Sequence, residues 1–462
     1  MLNTLQLKRL NQALSPRTVA VIGATKEVGR VGFSILESII LGGFEGKIFP
    51  VHPRNEEILG LKVYPNLEAI GEPIDLVIIA LNERKTIDAL EECGRYDVKG
   101  AICVAGGFSE VGEEGKKLQE KMTIAAEKNN IMLIGPNTLG VLNSESKLNA
   151  TFWPITLDQV SGISLITQSG GVGQMVGFKM QDEGLPINKM IGLGNRAVLD
   201  FDDLLQYLNG DPSTKVIGVF LEGTEKARSF VQIARESVSR KPVVVMKSGR
   251  SLLAKEFSVT HTGSMAGSYK MYQDIFAQSS LLTAASVDEL VSICKALSIA
   301  PLPKGNGVSV VTPTAGPSLI LVDLLDSIGC KFNPFSSDTI RNMKNLFVNV
   351  PVILKNPLDA ASAGYSPETY VKLVDIVLGD PGVDLMIPIW IEHKNRRFPA
   401  LELAELVQKH QKPILIYYIG NQKSKQNQKD CQENGIPFYL SPEEVAWGAG
   451  GMIKYRQIRN GK

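Results

Sequence analysis

Histidine is scarce in this chain: His52, His261, His393 and His410 are the four in 462 residues. The five cysteines (Cys93, Cys103, Cys294, Cys330 and Cys431) form no CxxC pair. Buried, reduced thiols are therefore expected, no metal ligand set is assigned, and a cytoplasmic location fits. Charge of one sign is not in excess: the formal net charge is +1. That excludes the basic surplus of a dedicated nucleic-acid binder. No apolar run reaches the length that spans a bilayer. The first residues, Met1-Leu2-Asn3-Thr4-Leu5, lack a charged segment followed by an apolar one, so no signal peptide is expected. GxxxxGKS and GxxxxGKT are both absent, and the first glycine turn departs from GxGxxG, so the signal for an ordinary dinucleotide site is weak.

What is present is ordinary globular composition, 44% apolar and 21% charged, in a chain long enough for about three domains. Val19-Ala20-Val21-Ile22 reads as a buried strand. Gly23-Ala24-Thr25-Lys26-Glu27-Val28-Gly29 follows, then a helical period through Phe33, Ile35, Leu36 and Ile39. Strand, glycine turn and helix N-terminus together make an anion site. Further strands over 47–51, 75–80, 100–104 and 132–134 alternate with helices. Residues 1–146 thus read as a doubly wound, parallel, Rossmann-like domain. Its second strand ends not in Asp or Glu but in His52-Pro53-Arg54, which suits a phosphorylated ribose, as in NADP or coenzyme A, or is a plain surface turn. Gly106-Gly107-Phe108 and Gly135-Pro136-Asn137 fall on the same edge.

A second cycle of strands and helices fills residues 147–300. Thr167-Gln168-Ser169-Gly170-Gly171 connects a strand to a helix and repeats the anion-site logic with hydroxyls added. Glu222 ends the strand 216–221. His261 lies beyond the strand 242–247, in a run of small hydroxyl and glycine residues with little apolar surface to pack against. A carboxylate beside an imidazole stabilises the imidazolium that a nucleophilic histidine becomes. A loop histidine bonded to its own backbone is the competing reading. Residues 301–462 form a third α/β domain, flavodoxin-like by pattern, to which no chemistry is assigned.

Together the segments resemble the α subunit of NDP-forming acyl-CoA synthetases, relatives of succinyl-CoA synthetase. The resemblance rests on eight stretches in order, among them Ser15–Ala24, Gly112–Lys117, Gly135-Pro136-Asn137, Gln168-Ser169-Gly170, Gly194-Asn195 and His261-Thr262-Gly263-Ser264-Met265-Ala266-Gly267-Ser268. It implies a Rossmann-like coenzyme-A-binding domain followed by two flavodoxin-like domains. It makes His261 the phosphohistidine, Glu222 its supporting carboxylate, and Ser169, Gly170 and Gly171 the phosphate site. Coenzyme A would meet Gly23, Ala24, Thr25, Lys26, Val28, His52, Pro53, Arg54, Gly106, Gly107, Phe108 and Asn137. ADP or ATP and Mg2+ would sit on a separate ATP-grasp β subunit, in an α2β2 heterotetramer. Leu81-Asn82-Glu83 stands where the family has a proline-bearing turn. Two alternatives stay open: a non-catalytic coenzyme-A-binding regulatory protein and an NADP-dependent oxidoreductase, although no hydride-handling pair is visible.

Overall fold

The computed structural model describes residues 1–54, 57–153, 155, 157, 162–251, 253–254, 269–347 and 352–461. They fall into two compact units, residues 1–287 and 288–462. Among the described residues, the first unit holds two large sheets and a two-stranded antiparallel ribbon (Glu57–Ile58 with Leu61–Lys62), and the second unit one sheet.

The first sheet contains β1 (Thr18–Ile22), β2 (Lys47–Val51), β3 (Leu76–Ile79), β4 (Gly100–Cys103) and β5 (Met132–Ile134), ordered β2-β1-β3-β4-β5 and parallel throughout. Helices α1 (Thr4–Leu14), α2 (Val31–Leu41), α3 (Glu83–Arg95) and α4 (Glu113–Lys128) accompany it. A parallel strand covered on both faces has no polar side to show. Accordingly Val19, Ala20 and Val21, and likewise Val77, Ile78 and Ile79, are fully buried.

The second sheet comprises β6 (Gly140–Asn143), β7 (Leu148–Thr151), β8 (Ile163–Thr167), β9 (Lys189–Gly192), β10 (Val216–Leu221), β11 (Val243–Lys247) and β12 (Leu282–Ala284). Its order is β12-β11-β10-β8-β9-β6-β7. Five strands are parallel, while β6 pairs antiparallel with β9 and with β7. The second sheet therefore starts at Gly140 and not at residue 147, and the division drawn at 146 falls inside the β6–β7 turn. This hairpin is polar yet buried, which hides it from a hydropathy reading. Asn143 Nδ2 donates to Leu14 O at 2.7 Å, and Asn149 Nδ2 donates to Trp153 O at 2.9 Å. Around the sheet lie α5 (Gly170–Asp182), α6 (Phe201–Gly210), α7 (Ala227–Arg240) and α8 (Tyr269–Gln278).

In the second unit, β13 (Val308–Thr312), β14 (Leu358–Asp359), β15 (Leu385–Ile391), β16 (Ile416–Ile419) and β17 (Phe438–Tyr439) form a parallel sheet ordered β14-β13-β15-β16-β17. Helix α9 (Val287–Ile299) belongs to this unit from Asp288 on. Its buried Lys295 donates to Phe438 O at 2.6 Å, and Tyr439 Oη donates to Ser292 O at 2.9 Å. All five cysteines are free and buried. Among the described residues, no helix is long and apolar enough to cross a membrane.

Candidate functional site

Doubly wound sheets bind ligands beyond the carboxyl ends of their strands. In the first unit the carboxyl edges of both sheets contribute to one cavity of about 450 Å³. Val31 opens α2, Val104 follows β4, and Asn137, Thr138 and Leu139 follow β5. The second sheet supplies Gln168, Ser169, Gly170 and Gly171 after β8, Gly194, Asn195 and Arg196 after β9, and Glu222 after β10. Phe152 completes the wall.

The strand, glycine turn and helix over residues 163–182 form as the sequence leads one to expect. Ser169 is the N-cap of α5, and its Oγ accepts from Val172 N at 3.4 Å. Thr167 Oγ1 donates to Ser169 O at 2.7 Å, which closes the corner. The first backbone N–H groups of a helix have no partner inside it, so this terminus offers donors and a positive dipole end to an anion.

Gln168, which residue chemistry alone did not single out, holds Glu222 in place. Its buried Oε1 accepts from Glu222 N at 2.9 Å and from Gly223 N at 3.2 Å. Gln168→Met would strip both N–H groups of their acceptor, at about 1–3 kcal/mol for each donor left unsatisfied in the interior. A lowered unfolding temperature is the expected outcome. An unchanged midpoint in thermal denaturation would show that these N–H groups find other partners.

Beside Glu222 stands another residue missed from sequence. Lys247 ends β11 and is buried. Its Nζ donates to Ser248 O at 2.6 Å and lies 4.8 Å from the ring centroid of Tyr272, on α8. Burial pushes the ammonium down to about 8, against the pull of the Glu222 carboxylate. Folding thus carries a charge penalty that is full below about 8 and disappears as the pH approaches the unfolded-chain lysine value, because the folded protein binds fewer protons in that window. Accordingly the unfolding midpoint of the native protein, taken relative to Lys247→Met, should rise as the pH goes from about 7 to about 10. A constant difference in paired melting curves would contradict the assignment.

The wall opposite is braced by the 194–200 turn. Gly194 has φ +55°, and a Cβ there would lie 2.2 Å from Pro136 O. Arg196, with φ +61°, pairs with the N-cap Asp200 of α6 at 3.1 Å. Thr224 Oγ1 donates to Asp200 at 3.4 Å, and Thr224 N donates to Tyr272 Oη at 2.9 Å.

The structure therefore brings Ser169, Gly170, Gly171, Glu222 and Asn137 into one cavity. His261 lies outside the described residues. The other candidates sit along the carboxyl edge of the first sheet. Gly23 has φ +87° and leads into the buried Ala24, while Lys26 and Val28 are exposed and Thr25 Oγ1 accepts from Glu27 N at 3.2 Å. His52 Nδ1 accepts from Arg54 N at 3.1 Å, and Pro53 and Arg54 are exposed. Gly106 is exposed, whereas Phe108 is fully buried in the first core. Asn82, in the turn that differs from the family pattern, caps α3 by accepting from Lys85 N at 3.1 Å.

Comparison with known proteins matches residues 17–144 to the CoA binding domain and residues 160–297 to the succinyl-CoA ligase like flavodoxin domain. Together these domains have the fold of CoA ligases of the succinyl-CoA ligase type. The chain is 34% identical over 452 residues to the α subunit of acetate–CoA ligase (ADP-forming) II of Pyrococcus furiosus, covering 96% of this chain and 97% of that one. On that likeness it belongs to the family of ADP-forming acyl-CoA synthetase α subunits. It is also 34% identical to acetate–CoA ligase (ADP-forming) I of Archaeoglobus fulgidus, of which it spans 63%. Among solved structures, the dinucleotide-forming acetyl-coenzyme A synthetase 1 of Ca. Korarchaeum cryptofilum, in complex with phosphate and ADP, superposes with a TM-score of 0.90. That match has 29% identity over 99% of this chain and 98% of the other.

Proposed function

We propose that this α subunit interconverts acyl-CoA, ADP and phosphate with a carboxylic acid, ATP and CoA, and that it does so through acyl phosphate and a phosphohistidine at His261. The observation that carries the reading is the cavity in which the α5 N-terminus, with Ser169, Gly170 and Gly171, faces the same space as Glu222. A phosphate oxygen attacks the thioester carbonyl, the C–S bond breaks, and CoA leaves as its thiol. An imidazole nitrogen of His261 then attacks phosphorus, the P–O bond to the acyl group breaks, and the carboxylate departs. ADP finally takes the phosphoryl group as the N–P bond breaks. Such transfers ask the protein chiefly for positioning and for neutralising charge on the transferring oxygens. The α5 terminus and Ser169 supply the donors, and Glu222 steadies the imidazolium. Val31, Val104, Leu139 and Phe152 line the cavity with the apolar surface that a small acyl group needs.

The nucleotide step is assigned to an ATP-grasp β subunit, with Mg2+ bound there. One fact supports a separate partner: the Pyrococcus relative is named an α subunit and matches this chain nearly end to end. The test is purification of the chain with its partners from its native host, followed by assay with a small acid, ATP and CoA. The expected outcome is acyl-CoA with release of ADP and phosphate. The reading fails if the purified complex binds NADPH and not CoA in calorimetric titrations, or if no acyl-CoA forms.

A further inference from the structure

The cavity wall is joined to the first sheet by one carboxylate that none of the roles above uses. Glu110 lies in the short turn between β4 and α4. Its Oε1 accepts from Gly107 N at 2.6 Å and its Oε2 from Phe108 N at 3.2 Å. The same Oε2 accepts from Asn195 Nδ2. Asn195 Nδ2 also donates to Gln119 Oε1 at 3.1 Å, and Asn195 Oδ1 accepts from Asn137 Nδ2 at 3.3 Å. Asn195 N donates to Pro136 O at 2.9 Å. Asn137 and Asn195 are both cavity residues, one from each sheet.

We infer that Glu110 is a positioning residue that locks the Gly106–Phe108 turn of the CoA-binding domain to the cavity wall, so that the reactive end of CoA is aligned with the acyl-phosphate site. The inference rests on the reading of residues 106–107 as a CoA contact. Three consequences of the geometry support it. A carboxylate can only accept, so it fixes which end of the Asn195 amide faces Asn137. Charge-assisted bonds to backbone N–H groups are short and strong, so the turn has little freedom relative to Asn195. Finally, a carboxylate already occupies two N–H donors of the turn and would repel a phosphate, so the turn meets the uncharged arm of CoA beside its thiol. Small misplacements of reacting groups are costly in rate, and this joint sits where the two substrates must converge.

The test uses the assembled enzyme with its partner subunit. Glu110→Gln should lower kcat/KM for CoA about tenfold or more, while phosphorylation of the chain by ATP, which does not need CoA, stays at the native level. Asn195→Asp, which sets two carboxylates against each other but keeps the acceptor for Asn137, should also lower kcat/KM for CoA. The double variant should recover most of the loss, because the new amide can donate to the new carboxylate. Native kcat/KM for CoA in Glu110→Gln would overturn the inference. So would an equal fall in both half-reactions with no recovery in the double variant, which would make the pair purely structural. If the native enzyme shows no CoA binding by calorimetry, the reading of the turn fails and the inference fails with it. If the native enzyme binds CoA and the variants behave like it, the inference alone fails.

Discussion

Replacing His261 with alanine is expected to abolish acyl-CoA synthesis and phosphorylation of this chain by ATP and the partner subunit. The expected loss of turnover is at least about 10⁴-fold, the scale seen when a covalent nucleophile is removed. The case is chemical. The described frame places a carboxylate, Glu222, at the end of β10 and a buried cation, Lys247, at the end of the adjacent β11. Residue 261 follows β11 in sequence. The two phosphoryl transfers of the proposed mechanism need one nucleophile that can hold the group between acyl phosphate and nucleotide, and imidazole can do so near neutral pH. Glu222→Gln keeps the bond to Gln168 through its backbone N–H and removes the charge, so it should slow phosphorylation and, by losing its pull on the buried Lys247 ammonium, also lower the unfolding temperature. Radiolabel retained on the chain after His261→Ala would refute the assignment, whatever the overall rate.

The second large effect is structural and reaches the turn after β1, the proposed CoA contact. A Cβ on Gly32 would lie 2.1 Å from Gly23 O and 3.0 Å from Gly23 C. Gly23 has no room either, since its own Cβ would sit 2.5 Å from Ala80 O. The N-terminus of α2 therefore rests directly on the turn after β1, and no side chain caps it. Gly32→Val must push the helix away from the sheet. The obstacle is backbone, so the cost should exceed the roughly 1–3 kcal/mol of ordinary overpacking. CoA affinity should fall at least about tenfold, because the helix end and the glycine turn would no longer converge on one anion. Gly210→Ala is the control: nothing lies within 4 Å of a Cβ there, at the end of α6. Chemical denaturation measures the first effect and calorimetry with CoA the second. Native affinity in a folded Gly32→Val protein would remove the turn from the CoA site.

The parallel strands were easy to read because they are buried on both faces, which leaves runs such as Val19–Ile22 and Val216–Leu221 without polar interruption. Strand, glycine turn and helix follow each other locally, so the α5 corner at Ser169 was equally plain. The β6–β7 hairpin was not. Asn143, Ser144, Asn149 and Thr151 are buried there because their side chains find specific partners, and no periodicity announces such a bargain. Lys247 likewise looks like the charged end of a strand until Tyr272, 25 positions later, covers it.

The sequence by itself determined the alternating α/β architecture, the glycine turns at strand ends and, through resemblance, the class of reaction. It did so because each of these depends on neighbours along the chain. Only the tertiary structure decided which turns share a cavity. Strand order puts β8 between β9 and β10, and so gathers Ser169, Asn195 and Glu222 from separate crossovers. It also revealed that Gln168 holds Glu222 and that Glu110 ties the first sheet to Asn195. These are contacts between residues 54 and 85 positions apart. Their partners are chosen by sheet order and register, which local hydropathy does not encode.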